Sequence, residues 1–221
     1  MKVAVCFAGL PRFNNRLMLN WKTKIVDRYQ AQVFVHTWYD TYGNLSALQS
    51  QLTPIIQPTM ITAEHFRQFD TSIYTPDRIW PHRSTPKNVL SMWYSINQSF
   101  GMALDWSKSH GFEWDIMIRA RWDWWFDHMD LVTRDAVTVP ADPGLNGHWF
   151  TCQNQHHCAH NDQFGYGPPA YMQHYANTFN CVPELYLADG VDFCSELLLT
   201  ANLLKQNIPI HFDDINFSFG L

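Results

Sequence analysis

The chain has 221 residues, 46% hydrophobic and 16% charged, with a formal net charge of −5. Those values give one folded domain and exclude a disordered or low-complexity chain. No run of lysines and arginines occurs, which excludes a broad phosphate-binding stripe of the kind that dominates nucleic-acid affinity. Aromatic residues make up 15% of the chain, enough to supply an aromatic-rich core or to stack a ring-bearing ligand.

At the N-terminus, "MKVAVCFAGL" holds an apolar run too short to span a bilayer, and the chain reads as soluble and cytoplasmic, with no membrane span. Val3 to Phe7 suits a strand buried on both faces of a parallel sheet, ended by Ala8, Gly9 and Pro11. Leu17, Trp21, Ile25 and Val26 then recur at helical spacing, and "AQVFVHTW" reads as a second strand, completing a βαβ unit. Prolines crowd residues 53 to 83, which predicts loops, a short strand near Ile55 to Ile61 and a short helix near Glu64 to Phe69. A long helix opens at Thr85 and Pro86, with Val89, Trp93, Ile96, Phe100, Ala103 and Leu104 as its apolar stripe, and Gly111 closes it. "WDIMIRAR" reads as a strand, "NDQFGYG" as a strand or loop before a helix opened by paired prolines, "DFCSELLLTANLLKQ" as a helix and "IPIHF" as a last short strand. Strands interleaved with helices give an α/β sandwich with a mostly parallel sheet.

The stretch "IRARWDWWFD", Ile118 to Asp127, mixes charge with aromatic surface. Strand alternation puts Trp114, Ile116, Ile118, Ala120, Trp122 and Trp124 on one face and Asp115, Met117, Arg119, Arg121 and Asp123 on the other. The second face carries two guanidiniums and a carboxylate toward the strand's C-terminal end, where open α/β sheets hold ligands. On a regular strand Arg121 and Asp123 lie about 6.6 Å apart, so they either pair directly or share a metal-diphosphate ligand. Buried arginines need anionic partners, and diphosphate oxygens satisfy a forked guanidinium as carboxylates do. A structural Arg–Asp network is the alternative.

The five cysteines are Cys6, Cys152, Cys158, Cys181 and Cys194, an odd number without the spacing of a disulfide framework, so reduced thiols are expected. "CQNQHHCAH" gathers Cys152, His156, His157, Cys158 and His160, ligand types for zinc. Their spacing fits no common zinc module, and an ordinary loop is the expectation there.

"VAVCFAGLPR", "FVHTW", "SMWYSINQS", "WDIMIRARWDWWF" and "NDQFGYG" together resemble, in matching order over nearly the whole chain, a family of small microbial and phage proteins classed as glycosyltransferases. That family resembles the nucleotide-sugar transferases of GT-A type. The resemblance implies a GT-A-like α/β/α sandwich over residues 1 to 221, a uridine- or guanosine-linked sugar donor, and transfer to a hydroxyl. The GT-A hallmark is an Asp-x-Asp motif that holds a metal; here Arg121, Trp122 and Asp123 stand in its place, so the first Asp is missing. The implied cofactor is Mn²⁺ or Mg²⁺, held by Asp123 and by His211, with Arg119 or Arg121 taking part of the cation's role. Implied donor contacts are Ala8, Gly9, Arg12, His36, Thr37, Trp38, Arg119, Arg121, Asp123 and Asn161, and implied catalytic carboxylates are Asp162 first and Glu196 second.

Each assignment has a plainer alternative: a strand-to-helix turn for Ala8 to Arg12, a core histidine for His36, an N-cap or turn for Asp162, a solvent-facing helix charge for Glu196, and a terminal edge strand for His211. Two functions follow, a glycosyltransferase and a noncatalytic sugar- or nucleotide-binding module. The acceptor is a glycan or, in a phage setting, a hydroxymethylated DNA base, for which Arg78, Arg83, Lys87, Arg119 and Arg121 would line a local cleft. Trp122, Trp124 and Trp125 would stack on sugar or base faces alike.

Overall fold

The computed structural model describes residues 1–12, 14–39, 45–79, 85–140, 149–152, 155–158, 160–213, 215 and 217–219; at 149–152, 155–158 and 217–219 the description is of the backbone. Val3–Ala8 forms β1, with every residue buried, and Gln32–Trp38 forms β2. Between them Asn14 caps α1 (Asn15–Trp21) by accepting from the Leu17 N–H at 2.9 Å. A π-helical turn, Lys22–Val26, leads into α2 (Asp27–Tyr29), and Gln30 ends it at φ 50°.

After α3 (Leu45–Leu52) comes β3 (Met60–Glu64), which pairs in parallel with β2 from Phe34↔Met60 to Trp38↔Glu64. The strand expected near Ile55 to Ile61 therefore starts later, because Pro58 has no N–H for a ladder and the Thr59 N–H makes the first bond, to the Val33 carbonyl. Residues 65–70 form no helix, contrary to expectation; the Glu64 carboxylate there accepts from Arg67 and from Tyr94 instead.

The long helix is α4 (Pro86–Ser109), with Thr85 as its N-cap and Pro86 in its first turn. It returns the chain to the opposite side of β1, where β4 (Ile116–Ala120) pairs in parallel from Val3↔Ile116 to Phe7↔Ala120. The chain then turns through Trp122 and Asp123 into β5 (Trp124–Phe126), outside the main sheet. Next come β6 (Val137–Pro140), a hairpin of β7 (Trp149–Cys152) and β8 (Gln155–Cys158), and β9 (Gly165–Gly167). Helices α5 (Pro169–Ala176), α6 (Thr178–Leu187) and α7 (Ser195–Lys205) precede β10 (Ile210–Asp213) and β11 (Phe217–Phe219), which pairs antiparallel with β5. Around the Cys152 to Cys158 cluster, the described residues thus lie in paired strands rather than in a loop.

The seven-stranded sheet has the order β10-β6-β9-β4-β1-β2-β3, and β9 alone runs against its neighbours. This is an α/β fold with a mostly parallel sheet. Gly167 explains how β9 fits between β4 and β6: a Cβ there would stand 2.6 Å from the Ala136 carbonyl oxygen.

Alternation along β1 splits the core in two. Ala4, Cys6 and Ala8 join Trp93, Ile96 and Phe100 of α4 and the buried faces of α5 to α7; Val3, Val5 and Phe7 join Leu17, Met18 and Trp21 of α1, Leu48 of α3 and Trp124 of β5. Both faces of the sheet are therefore covered, which is why β1 reads as an unbroken apolar run. Among the described residues no helix is long and apolar enough to cross a membrane.

Asn20 holds β5 in place. This buried amide donates to the Phe126 carbonyl at 2.9 Å and accepts from the Phe126 N–H at 2.9 Å, standing in for a neighbouring strand. An Asn20→Ala variant leaves two buried backbone groups unpaired and is expected to lose about 2–4 kcal/mol in urea unfolding; a loss under about 0.5 kcal/mol would show that β5 is held by its aromatic packing alone.

Candidate functional site

The strand order reverses between β1 and β4, since the chain builds β1, β2 and β3 outward and then crosses back. Open α/β sheets hold ligands outside the carboxyl ends of their strands at such a point. A cleft of about 330 Å³ lies there, lined by residues following β1, by Trp38 of β2, by Arg119, Arg121 and Asp123 around the end of β4, and by Asn88, Ser91 and Met92 of α4.

The turn after β1 is fixed from both sides. Gly9 has φ +86°, with nothing within 4 Å of a Cβ placed on it, so glycine is needed for its conformation and leaves open space beside it. Its N–H donates to Ser95 Oγ at 2.7 Å, and its carbonyl accepts from Thr37 Oγ1 at 3.0 Å. Ser95 also bonds His36 Nδ1 at 2.8 Å, while His36 Nε2 stands 3.4 Å from Glu64 Oε1. Burial holds the His36 pKa below its ordinary value, against the pull of Glu64, which favours the neutral ring. His36 and Thr37 thus hold the Gly9 turn from beneath the cleft. Trp38 reaches the cleft, although it is packed against Tyr94 and Phe66.

Ser95 is absent from the sequence-based candidates, yet its signal is visible: Ser91, Ser95, Ser99 and Ala103 recur every fourth residue, a buried small-residue stripe that lets α4 approach β1 and β2. Asn88 and Met92 were missed for a different reason: a helix's opening turns border a ligand site only through the topology.

Three arginines meet at the cleft. Arg12 is exposed at its rim. Arg121 forks onto Asp123, Nε to Oδ1 at 2.6 Å and the terminal nitrogen to Oδ2 at 3.0 Å. β4 ends at Ala120, so this pair closes a turn instead of lying along a strand, and the direct pairing is the one realised. Arg119 is still in the strand, opposite Cys6 of β1, and only 2% exposed. One of its terminal nitrogens donates to the Ala120 carbonyl, its Nε has no hydrogen-bond partner, and it forms no salt bridge among the described residues. Burial depresses its pKa, and Tyr175, Asp162 and Asp123 offset this only through space.

Asp162 and Glu196, 34 positions apart in the chain, are brought together behind Arg119. Both are buried, and neither lines the cleft. Ser195 Oγ donates to Asp162 Oδ2, Cys194 Sγ donates to Glu196 Oε2 at 2.9 Å, and Tyr175 donates to the Asp162 carbonyl at 3.0 Å. Burial, reinforced by the Glu196 charge, pushes the Asp162 pKa up to about 6, with Ser195, Arg119 and Arg121 opposing. Glu196 is therefore not the solvent-facing charge that its helix pattern allowed. Asn161 is buried in the same turn, its Oδ1 accepting from the Gln163 N–H at 2.8 Å.

Trp122 and Trp124 are buried, Trp122 also lining the cleft, and Trp125 is partly buried. Trp122 stacks on Phe7 with centroids 4.5 Å apart and Trp124 on Phe164 at 5.3 Å, while Trp125 lies under Arg16. Trp122 and Trp124 share the apolar cluster of Ile116, Ile118 and Ala120, as alternation predicts, but Trp114 joins the cluster on the other face. Arg78 is tied to the carbonyls of Tyr186 and Val191, at 2.9 and 3.0 Å, and so serves the α6–α7 connection. Lys87 lies over the Phe66 ring. Arg83 and the side chains of Cys152, His156, His157 and Cys158 lie outside the described residues. His160 packs its ring against Phe212.

His211 sits on β10, at the far edge of the sheet, three strand positions from β4, or about 14 Å at ordinary strand spacing. It cannot share an ion with Asp123. Both oxygens of Asp123 accept from Arg121, and no group of three His, Cys, Asp or Glu side chains converges among the described residues. These residues do not fit the oxygen-rich coordination that Mn²⁺ or Mg²⁺ requires.

Comparison of the chain with protein-family models and with curated protein sequences gives no match. The arrangement at the sheet's edge is therefore the basis for a functional reading.

The raised Asp162 pKa has a stability consequence. Between the ordinary value of 3.8 and the folded value of about 6, the folded state binds more protons than the unfolded. Its contribution is thus complete below 3.8 and lost as pH rises through 6. An Asp162→Asn variant keeps an acceptor for Ser195 and removes that titration, so its stability relative to wild type should rise between pH 4 and pH 7, by up to about 3 kcal/mol. Urea unfolding at several pH values measures it; a constant difference would mean that Asp162 titrates normally.

Proposed function

We propose that the cleft binds a nucleotide-sugar donor and that the protein is a glycosyltransferase with a GT-A-like fold, passing the sugar to a hydroxyl acceptor. The observation that carries this reading is Arg119: a cation 2% exposed at the cleft wall, with its Nε unpaired and, among the described residues, no carboxylate bound to it. A buried unpaired guanidinium is costly unless an anion completes it, and a diphosphate supplies oxygens in the right geometry. The open space over Gly9 suits close approach of a bulky ligand to the backbone. Apolar Trp38 and Met92 beside a few polar groups match the usual make-up of a small-molecule site.

In this reading the acceptor oxygen attacks the anomeric carbon, the carbon–oxygen bond to the diphosphate breaks, and the nucleoside diphosphate leaves with the electron pair. Arg12, Arg119 and Arg121 stabilise the charge that develops on it. Asp123, the carboxylate at the cleft wall, takes the hydroxyl proton or orients the sugar. Asp162 acts from behind by setting the field at Arg119, Glu196 acts through Asp162, and both are positioning residues. A glycan is favoured over DNA as acceptor, because Arg78 is committed to backbone carbonyls and the net charge is −5. A gel shift on hydroxymethylated duplex DNA at low salt, positive and lost as salt rises, would reverse that preference.

One observation favours a noncatalytic binding module as the second reading: the cleft's carboxylate, Asp123, is already held by Arg121. A panel of uridine- and guanosine-linked sugars separates the two. The transferase reading expects slow donor hydrolysis, reduced by about 100-fold or more in Asp123→Ala. Binding without turnover supports the module, and neither binding nor turnover by any donor overturns both.

A further inference from the structure

Resting on that reading of the cleft, we propose that the donor's diphosphate is held by guanidinium groups in place of a divalent cation, with Arg121 passing from Asp123 to the diphosphate as it arrives. Among the described residues the cleft's charged lining is Arg12, Arg119 and Arg121 against Asp123. Among these described groups three positive charges face one negative, a balance that favours an anion over a dication.

The geometry of each group fits its part. Arg119 is immobilised in β4, opposite Cys6, and its unpaired Nε offers a hydrogen bond that no described group takes. Arg12 is exposed at the rim and unengaged by any carboxylate among the described residues, so it can close on a ligand. Arg121 makes a two-point fork to Asp123 at 2.6 and 3.0 Å, with both side chains partly accessible. A phosphate presents the same two-oxygen edge to that fork as the carboxylate does. Exchange of one anion for the other releases the Asp123 oxygens inside the cleft at the moment a donor is present. The pair then orders the reaction: the carboxylate is masked until the diphosphate has bound.

Asp123 discriminates this arrangement from a metal site by the sign of its effect. Where Asp123 holds a cation, Asp123→Asn loses nucleotide binding. Where Arg121 is withheld by Asp123, the same substitution removes the anionic hold of Asp123 on the fork and nucleotide binds as tightly or more tightly. Calorimetric titration of the full chain with UDP, GDP and inorganic pyrophosphate, in EDTA and in Mn²⁺, reads this directly. The expected result is a Kd in EDTA within about twofold of that in Mn²⁺, unchanged or tighter in Asp123→Asn, and weakened about tenfold in Arg12→Gln, whose exposed position spares the fold. Arg119→Lys, which keeps the charge and loses the fork, should weaken binding as well. Binding that disappears in EDTA, or in Asp123→Asn, overturns the guanidinium arrangement and leaves the donor reading standing. Failure of all three probes in both conditions overturns the two together.

Discussion

A guanidinium buried inside a central strand, with no carboxylate bound to it among the described residues, is the constraint around which the ligand edge of this sheet is organised. Arg119 is enclosed by β1 on one side and β9 on the other, through its register with Cys6 and Gly165. The nearest negative groups, Asp162 and Asp123, act on it only through space. Desolvating a charge to that extent is costly, and the protein tolerates it where something else supplies the counter-charge. An anion in the cleft would complete what the fold leaves open.

The surrounding structure keeps that opening in shape. The Gly9 turn is held by bonds to both of its backbone groups, one from α4 and one from β2. Asn20 anchors β5, and thereby the turn carrying Arg121 and Asp123, to α1. The floor is apolar on the α1 side, where Phe7 carries Trp122, and polar on the α7 side, where Ser195 and Tyr175 fix Asp162. Arg119 and Glu196 sit in regular elements, whereas Arg12, Arg121, Asp123 and Asp162 are carried by the turns that those elements anchor.

Where a local pattern was sufficient, the sequence was readable. β1 and β2 are unbroken apolar runs, α4 carries a cap, a proline and a stripe, and α7 carries an apolar pattern; all four occur where expected. The two-faced reading of "IRARWDWWFD" was right about Arg119 and about the apolar face, but alternation alone gave no sign that β4 stops at Ala120. Of the tryptophans offered as stacking platforms, Trp122 and Trp124 are buried, Trp122 at the cleft wall, and Trp125 is partly buried, because burial depends on what lies across the sheet. The pairing of Asp162 with Glu196 was invisible because it joins a turn before β9 to the first turn of α7. β5 and β11 have three residues each, too short for a periodic signal.

The chemistry follows from position more than from any motif. Among the described residues, the acidic groups nearest the cleft are either bonded to an arginine or buried behind one, and the guanidiniums face the ligand space. Nitrogen-15 NMR of arginine side chains, with Arg119→Lys assigning the resonance, observes the central group directly. On titration with a uridine- or guanosine-linked sugar, the Arg119 Nε–H signal should shift and become protected from solvent exchange, saturating with the ligand. Ligand saturation that leaves this signal unchanged would contradict the account.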